Sequence, residues 1–260
     1  MIIDLHTHAF PDALAARAIA KLETGNTKAF TDGTVAGLLR SMDAAGVGAS
    51  VICSIATKPG QFEPILEWSK AVASDRLIPF ASIHPADPLA VERVARVRDA
   101  GLRGIKIHPY YQDFDLADEA FDPFYAAVAQ AGLILVSHTG FDMAFPRDRK
   151  ADAARILAVS RRHPTLKFLA THFGAWDDWM DVESTLIGHR INLELSLTLE
   201  LIPADQARRM ILAHPSDCLF FGSDSPWGNP ADTLRLLRGL DLPEPLLRKI
   251  LCENALALLS

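Results

Sequence analysis

The chain has 260 residues, of which 49% are hydrophobic, so it is long enough to bury one sizeable core. Its 26 basic and 32 acidic residues give a net charge of −6, which argues against a nucleic-acid partner because phosphate binding needs a basic surface. No apolar run reaches the roughly 18 residues of a membrane span, and the start lacks the pattern of a signal peptide. Three widely spaced cysteines indicate free thiols in a reducing compartment. We therefore expect a cytoplasmic protein without a membrane partner.

Short apolar runs alternate with longer amphipathic stretches along the chain. The predicted strands are Ile2–His6, Ala49–Ile55, Ile78–Ile83, Gly104–His108, Leu133–His138, Lys167–His172, Ile191–Leu195 and Cys218–Ser223. The predicted helices are Val35–Ala45, Phe62–Ala73, Leu89–Ala100, Phe121–Ala131, Ala151–Arg162, Asp178–Ile187, Ala204–Leu212, Ala231–Leu237 and Pro245–Leu258. Eight strands, each followed by a helix, predict an α/β fold in which residues 1–260 form a single (β/α)8 TIM barrel.

Two features refine this fold prediction. The segment Pro11–Asp32 is longer than an ordinary strand-to-helix loop, so we expect a small insertion after strand 1 that forms an extra helix over the barrel mouth. The competing fold is a doubly wound open sheet, which usually carries a glycine-rich phosphate turn after its first strand. Here the first strand ends in His6-Thr7-His8, which favours the barrel.

Histidines are concentrated where the strands end. Six of the nine lie at or just beyond the carboxyl end of a predicted strand: His6, His8, His84, His108, His138 and His172. In a TIM barrel this end forms the catalytic mouth. Histidines gathered there with a carboxylate predict a metal site.

The first and last strands supply the strongest candidates for metal ligands. His6 and His8 are two residues apart, so both are expected to face the barrel axis, either as ligands or as hydrogen-bonded core histidines. Asp4 either orients a ligand histidine or pairs elsewhere. Asp224 directly follows the apolar run Leu219–Phe221, where a carboxylate is expected to meet a cation or a reacting proton, unless it caps the next segment.

Strands 4 to 6 and the loop after strand 8 provide further candidates. His138 and His172 each close a strand and lie two residues before a glycine, although either alone has a structural alternative. Lys106 and His108 share one face of strand 4. His108 is either a ligand or a substrate donor, and Trp227 either walls a pocket or packs in the core.

Several roles are open for Lys106. Its amine either carries a carbamate that bridges two metals, binds an anionic substrate, or pairs with Asp224 or Glu194. His84, which lies in a loop-like Ser-Ile-His-Pro segment, is the weakest of the histidine candidates. Trp176 and Trp179 follow strand 6 and, like Trp227, either wall a pocket or pack in the core.

Five motifs in strand order, HTH, KIHP, SHTG, THFG and GSDSPW, together resemble the amidohydrolase superfamily. More narrowly, they are similar to its amidohydrolase-related branch of metal-dependent hydrolases, which also includes the aminocarboxymuconate-semialdehyde and resorcylate decarboxylases. The resemblance implies a single divalent ion, usually zinc, with manganese, iron or nickel as alternatives. It assigns the ligands as His6, His8, His138 and Asp224. His172 is then a catalytic histidine, and a carbamylated Lys106 would allow a second ion at His138 and His172.

The reaction expected from these residues is hydrolysis of a small amide, lactone or ester. Asp224 takes the proton of a metal-activated water, while His172, with Lys106 or His108, stabilises the oxyanion. We assign Lys106, His108 and Trp227 to substrate binding. The alternative is non-oxidative decarboxylation of a small unsaturated or aromatic carboxylate, which the short chain makes the second choice.

More distant interpretations fit less well. DLHTH also begins a class of phosphoesterases, but KIHP on strand 4 lacks the ligand glutamate of those enzymes and of TatD-type nucleases. A barrel that merely stores or senses a metal would need a closed, fully protein-ligated ion. Barrels of the amidohydrolase-related branch often form dimers, so the resemblance also implies a possible homodimer that acts on a small-molecule substrate.

Overall fold

The structure, a computed structural model, describes residues 1–23 and 28–260. Within these residues, eight strands form one parallel sheet in the order β1 to β8. They are β1 Ile3–Thr7, β2 Ala49–Cys53, β3 Leu77–Ser82, β4 Gly104–Ile107, β5 Ile134–Ser137, β6 Lys167–Ala170, β7 Asn192–Glu194 and β8 Leu219–Phe220. The predicted (β/α)8 barrel is confirmed.

Backbone contacts between β1 and the chain that follows β8 close the barrel. The Leu5 N–H donates to the Phe221 carbonyl at 3.0 Å, and the Asp224 N–H donates to the His6 carbonyl at 2.7 Å. A further parallel bridge joins Thr7 to Ser225. Closure therefore brings the histidine pair of β1 beside the carboxylate that follows β8, although the two segments are more than 200 residues apart in sequence.

The helices surround the sheet in the predicted alternation. They are α1 Asp12–Leu22, α2 Val35–Ala45, α3 Phe62–Val72, α4 Ala90–Asp99, α5 Asp122–Gln130, α6 Ala153–Arg162, α7 Trp179–Thr185, α8 Ala204–Ala213, α9 Pro230–Arg238, α10 Glu244–Arg248 and α11 Asn254–Leu259. Helix α1 is the insertion expected after strand 1, and residues 24–27 of that predicted segment lie outside the described residues. No helix in the described part of the chain has the length and apolar character of a bilayer span.

The C-terminal helix is interrupted, whereas the sequence predicts one helix over Pro245–Leu258. A π-helical turn, Lys249–Glu253, separates α10 from α11. In a π-helical turn each N–H bonds to the carbonyl five residues earlier instead of four, so the set of carbonyls that accept hydrogen bonds within the helix differs from that of an α-helix. The Ile250 carbonyl accepts the Phe221 N–H at 3.0 Å, so the turn joins the helix to the end of β8.

Two apolar clusters hold the barrel together. The larger one lies between the sheet and the helices. The smaller one joins residues two apart on the strands, such as Val51 with Cys53 and Ile134 with Val136, and Ala255 of α11 packs against it. Alternate strand residues thus fill the barrel interior below the mouth, which leaves the carboxyl ends of the strands free to carry polar groups.

Gly140, in the loop after β5, provides a test of how tightly this mouth is built. Its φ is +87°, and a Cβ there would overlap the backbone of Ala175 and Trp176. Gly132 is a matched control, because its φ is +70° but a Cβ would meet no atom within 4 Å. We expect Gly132→Ala to cost about 1–2 kcal/mol for the left-handed backbone alone, and Gly140→Ala to cost more than about 3 kcal/mol. Urea unfolding of both variants measures this difference, and equal costs would contradict the close packing of the two loops.

Candidate metal centre and active site

Closure of the barrel places His6 and His8 beside Asp224. The Asp224 Oδ1 atom lies 3.0 Å from His8 Nε2 and 3.4 Å from His6 Nε2. Asp224 itself has a left-handed backbone, with a φ of +60°. Its Oδ1 is buried and accepts no well-aligned hydrogen bond despite the two nearby nitrogens. A buried carboxylate oxygen without a donor is expected where a cation binds.

His172 and His138 complete this group of ligand atoms. His172 follows β6, and its Nε2 lies 3.1 Å from His138 Nδ1. One ligand atom each from His6, His172 and Asp224 lie within 4.8 Å of one another. His6, Asp224 and the predicted catalytic His172 therefore form one group of ligand atoms, which His8 adjoins through Asp224 and His138 adjoins through His172.

Hydrogen bonds at the outer ring nitrogens determine which nitrogens are available to a metal. Each of three imidazoles has one ring nitrogen facing an oxygen acceptor. The contacts are His6 Nδ1 to Glu194 Oε1 at 2.8 Å, His172 Nδ1 to the Ser196 carbonyl at 3.3 Å, and His138 Nε2 to the Phe141 carbonyl at 3.1 Å. If each of these nitrogens carries the proton, the inner nitrogens present lone pairs. The lone pairs of His172 and His138 then face each other at 3.1 Å, which a bound cation would relieve. The donor set thus fits a divalent metal.

Glu194 is the main functional residue that the sequence reasoning missed, since it was considered only as a partner of Lys106. Its Oε1 accepts from His6 Nδ1, the His172 N–H and the Ser196 hydroxyl, and its Oε2 accepts the Ser196 N–H. Gly222 leaves room for it, because a Cβ there would overlap the Glu194 carboxylate. A glutamate between Leu193 and Leu195 in a buried strand was the available signal.

Asp4 pairs elsewhere instead of orienting a histidine ring. Its carboxylate accepts the His6 backbone N–H at 3.1 Å and both the N–H and the hydroxyl of Ser223, at 3.0 and 2.5 Å. It therefore ties β1 to the segment after β8. Complete burial raises the pKa of Asp4 to about 7.

Lys106 lies inside the site. Its Nζ is 3.1 Å from His6 Nε2, and it forms no ion pair with Asp224 or Glu194 among the described contacts within 4.0 Å. Burial lowers the pKa of its amine. Lys106 is therefore placed to act as a neutral donor or to become carbamylated, and it is poorly suited to hold an anion by charge.

His108 belongs to a neighbouring group with His138 and Asp142. Its ring stacks on His138 at a centroid distance of 4.1 Å and an interplanar angle of 10°, and its Nε2 lies 3.5 Å from Asp142 Oδ2. Ligand atoms of the three residues lie within 4.8 Å of one another. Parallel stacked rings direct their lone pairs side by side, however, and His138 Nε2 already faces the Phe141 carbonyl. We therefore regard this group as a wall of the cavity.

A cavity of about 710 Å³ opens from these residues, which is large enough for a ligand well beyond a simple ester. Trp227 and Trp176 line it, together with the predicted ligands, Lys106 and His108. Trp179 packs in the core instead and donates its indole N–H to the His172 carbonyl at 3.0 Å. His84 is not among the residues that line the cavity.

Burial sets the protonation states at this site. It lowers the pKa of His6, His108 and His138 and reduces that of His172 to about 3. Burial alone would raise the pKa of Asp224, but the neighbouring His6 and His8 outweigh it and hold that pKa below its usual range. At neutral pH the rings of His6, His138 and His172 are therefore neutral and Asp224 is ionised, which are the forms that bind metals.

Comparisons with known proteins identify the family of this chain and agree with its fold. The family model described as Amidohydrolase matches residues 3–260. The fold is similar to 5-carboxyvanillate decarboxylase LigW from Sphingomonas paucimobilis, with 18% identity, a TM-score of 0.73, and coverage of 99% of this chain and 98% of that one. It is also similar to LigW2 from Novosphingobium aromaticivorans, solved with manganese, with 16% identity, a TM-score of 0.74, and 100% and 97% coverage.

A third similar structure is a probable 2-pyrone-4,6-dicarboxylic acid hydrolase from Acinetobacter baumannii, with 15% identity, a TM-score of 0.70, and coverage of 99% and 98%. No curated protein sequence matches the chain. The barrel and the His/Asp cluster at its mouth define a candidate metal-dependent enzyme of the TIM-barrel type. The match over nearly the whole chain shows that the protein belongs to the amidohydrolase family.

The role of Glu194 can be measured through metal binding. Glu194→Gln removes the negative charge and puts an amide N–H₂ where an oxygen now accepts hydrogen bonds, so the imidazole of His6 loses its fixed orientation and the backbone N–H of His172 loses its charged acceptor. We expect zinc affinity, measured by competition with a chromophoric chelator, to fall about 10- to 100-fold. Glu183→Gln is the control, since Glu183 forms an ion pair with Arg209 away from the cavity. Equal affinities in the two variants would contradict this role.

The buried histidines also predict a pH dependence of stability. Below about pH 6.5 an unfolded histidine takes up a proton, whereas folded His172 takes one up only near pH 3. His172 thus contributes stability that is present above about pH 6.5 and is lost as the pH falls. Asp4 and Glu194, whose pKa values burial raises, act in the opposite sense, so a comparison of variants is needed.

In metal-free protein, we expect His172→Gln to reduce the fall in unfolding free energy between about pH 6.5 and 5.5 by up to about 1.4 kcal/mol. Urea unfolding at each pH provides the measurement. His189→Gln, which replaces an exposed histidine outside the cavity, should keep the wild-type slope. A wild-type slope in His172→Gln would mean that this ring titrates normally in the folded protein.

Proposed function

We propose that the protein is a metal-dependent hydrolase of amide, lactone or ester bonds. The observation that carries the proposal is that the site offers a base at neutral pH: the Asp224 Oδ1 atom lies beside His6 and His8 without a hydrogen-bond donor, and the pKa of this carboxylate is held below its usual range. Hydrolysis requires a group that takes a proton from water as it attacks the carbonyl. Protonation of a carbon, which a decarboxylase requires, needs an acid in the same place.

The proposed ligands of the metal are His6, His8, His138 and Asp224. Three imidazoles and one carboxylate suit zinc, and manganese, iron and nickel accept the same donors. When bound, such an ion would polarise the substrate carbonyl and lower the pKa of a water towards about 7. Glu194 supports the arrangement by fixing the orientation of the His6 ring.

Each side chain of this site then has its own role in the hydrolysis. Asp224 accepts the proton of the attacking water and later delivers it to the leaving group. His172, whose inner Nε2 presents a lone pair, accepts a hydrogen bond from the attacking water and orients it. Lys106 or His108 donates the hydrogen bond that stabilises the oxyanion. Trp227 forms part of the cavity wall against which the substrate packs. If Lys106 carries a carbamate, His138 and His172 would be free to hold a second ion.

Non-oxidative decarboxylation is the second candidate. Two of the similar structures are decarboxylases of aromatic acids, and aromatic residues such as Tyr111, Phe141 and Trp176 line this cavity. The same metal would bind the substrate carboxylate, and Asp224 or His172 would protonate the carbon. The low pKa values of both groups argue against this role in the free enzyme.

The proposal predicts that Asp224→Asn and His8→Ala each lower the rate of hydrolysis at least about a hundredfold, because each removes a base or a ligand from the metal centre. Circular dichroism establishes that the variants are folded. A panel of esters, lactones and amides is assayed beside carbon dioxide release from aromatic and unsaturated carboxylates. Wild-type rates in a folded variant would refute the assignment, and carbon dioxide release without hydrolysis would favour the second candidate.

A further inference from the structure

We propose that Arg17 and Lys21 of α1 form an anion-binding subsite at the outer end of the catalytic cavity. The preferred substrate would then have an apolar body with the cleaved bond at one end and an anionic group at the other. This inference rests on the proposed hydrolytic function for the cleaved bond, but the anion subsite itself can be tested by binding alone.

One cavity is lined both by the proposed metal ligands and by the two cations of α1. It extends from His6 and Asp224 to α1 and α3, and both Arg17 and Lys21 line it. These two residues are four positions apart on an α-helix, so they lie on one face, one turn apart. A volume of about 710 Å³ leaves room for a substrate that reaches from the metal ligands to this face.

The two cations lack the partners that most exposed basic residues of this protein have. Arg96 pairs with Glu63, for example, and Arg209 pairs with Glu183. Among the described residues, no carboxylate lies within ion-pair distance of Arg17 or Lys21, and residues 24–27 contain none. A guanidinium remains charged at any physiological pH, so Arg17 is a permanent cation at the cavity.

Apolar side chains form much of the cavity lining on and near α1 and α3. Phe10, Leu14, Ile65 and Trp68 line the cavity near α1 and α3. The acidic residues that line it are Asp142 and Asp224, and both lie beside histidines at the inner end. An apolar body with a distal negative charge is complementary to this lining, whereas an anionic group near the inner end that the metal does not hold would meet the carboxylates of Asp142 and Asp224.

Helix α1 is held in a defined position relative to the site. At its start, the Phe10 N–H donates to the Gly33 carbonyl at 2.9 Å. Beyond it, the Phe30 N–H donates to the Pro226 carbonyl at 3.0 Å, in the loop that carries Asp224. The spacing between the cations and the metal ligands is therefore set by the fold, which allows selection by substrate length.

The binding test compares suberate with octanoate on the metal-loaded protein by titration calorimetry. Both acids offer one carboxylate to the metal, but only suberate offers a second at the far end of the chain. We expect suberate to bind about tenfold more tightly, although octanoate is the more apolar, and added salt should reduce this advantage. The advantage should disappear in the double variant Arg17→Gln/Lys21→Gln.

The control is Arg161→Gln/Arg238→Gln, which removes the same charge from α6 and α9 outside the cavity and should keep the suberate advantage. No advantage in the wild type, or an equal advantage in both double variants, would overturn the proposal. The single variants Arg17→Gln and Lys21→Gln give the same comparison should the double variant not fold.

Turnover separates this inference from the proposed function. In the wild type, kcat/KM for the p-nitrophenyl monoester of suberate should exceed that for p-nitrophenyl octanoate by about tenfold. The Arg17→Gln/Lys21→Gln variant should lose this preference through a higher KM for the suberate ester. The same variant should hydrolyse the octanoate ester at a rate within about twofold of wild type. If neither ester is hydrolysed but the suberate binding advantage depends on Arg17 and Lys21, the subsite stands and the hydrolase assignment fails.

Discussion

The site is organised by one buried carboxylate, that of Glu194, which orients the His6 imidazole and holds the backbone of His172. Burying an ionisable group costs free energy unless its oxygens are satisfied, and Glu194 is fully buried with four donors. Two of these donors belong to His6 and His172, which β1 and β6 carry to the same point. Because β7 supplies Glu194 and its strand neighbours pack outward, the fold of the barrel itself fixes the orientation of the His6 ring and the position of the His172 backbone.

Closure of the barrel is the second constraint, and it depends on polar contacts as much as on apolar packing. The Asp224 N–H bonds to the His6 carbonyl, and Asp4 holds both Ser223 and the His6 backbone. These contacts place Asp224 in a left-handed conformation with its Oδ1 directed at His6 and His8. The contacts that close the sheet therefore also hold this buried oxygen without a hydrogen-bond donor, which costs free energy. A bound cation would remove that cost.

Hydrophobic period and the positions of the histidines were sufficient to predict the eight strands, the barrel and the meeting of His6, His8 and Asp224. The reason is that parallel strands align their carboxyl ends, so residues at strand ends converge whatever their distance in sequence. Local patterns do not report which acceptor each imidazole contacts, so the part played by Glu194 was missed. The π turn at Lys249–Glu253 was missed as well, and its hydrogen bond from the Phe221 N–H is a tertiary contact of which the local sequence gives no sign.

Charge is distributed along the cavity according to how deeply each group is buried. Lys106, beside His6, has a lowered pKa because it is buried, and a divalent cation at the neighbouring ligands would lower that pKa further by like-charge repulsion. The amine is then suited to donate a hydrogen bond or to form a carbamate, and a substrate anion gains little from it. A permanent positive charge is stable only where water still reaches it, as at Arg17 on α1. Because burial disfavours charge on the amine of Lys106, the inner end of the cavity is suited to catalysis. The exposed cation Arg17 makes the outer end suited to binding the charged group of a substrate.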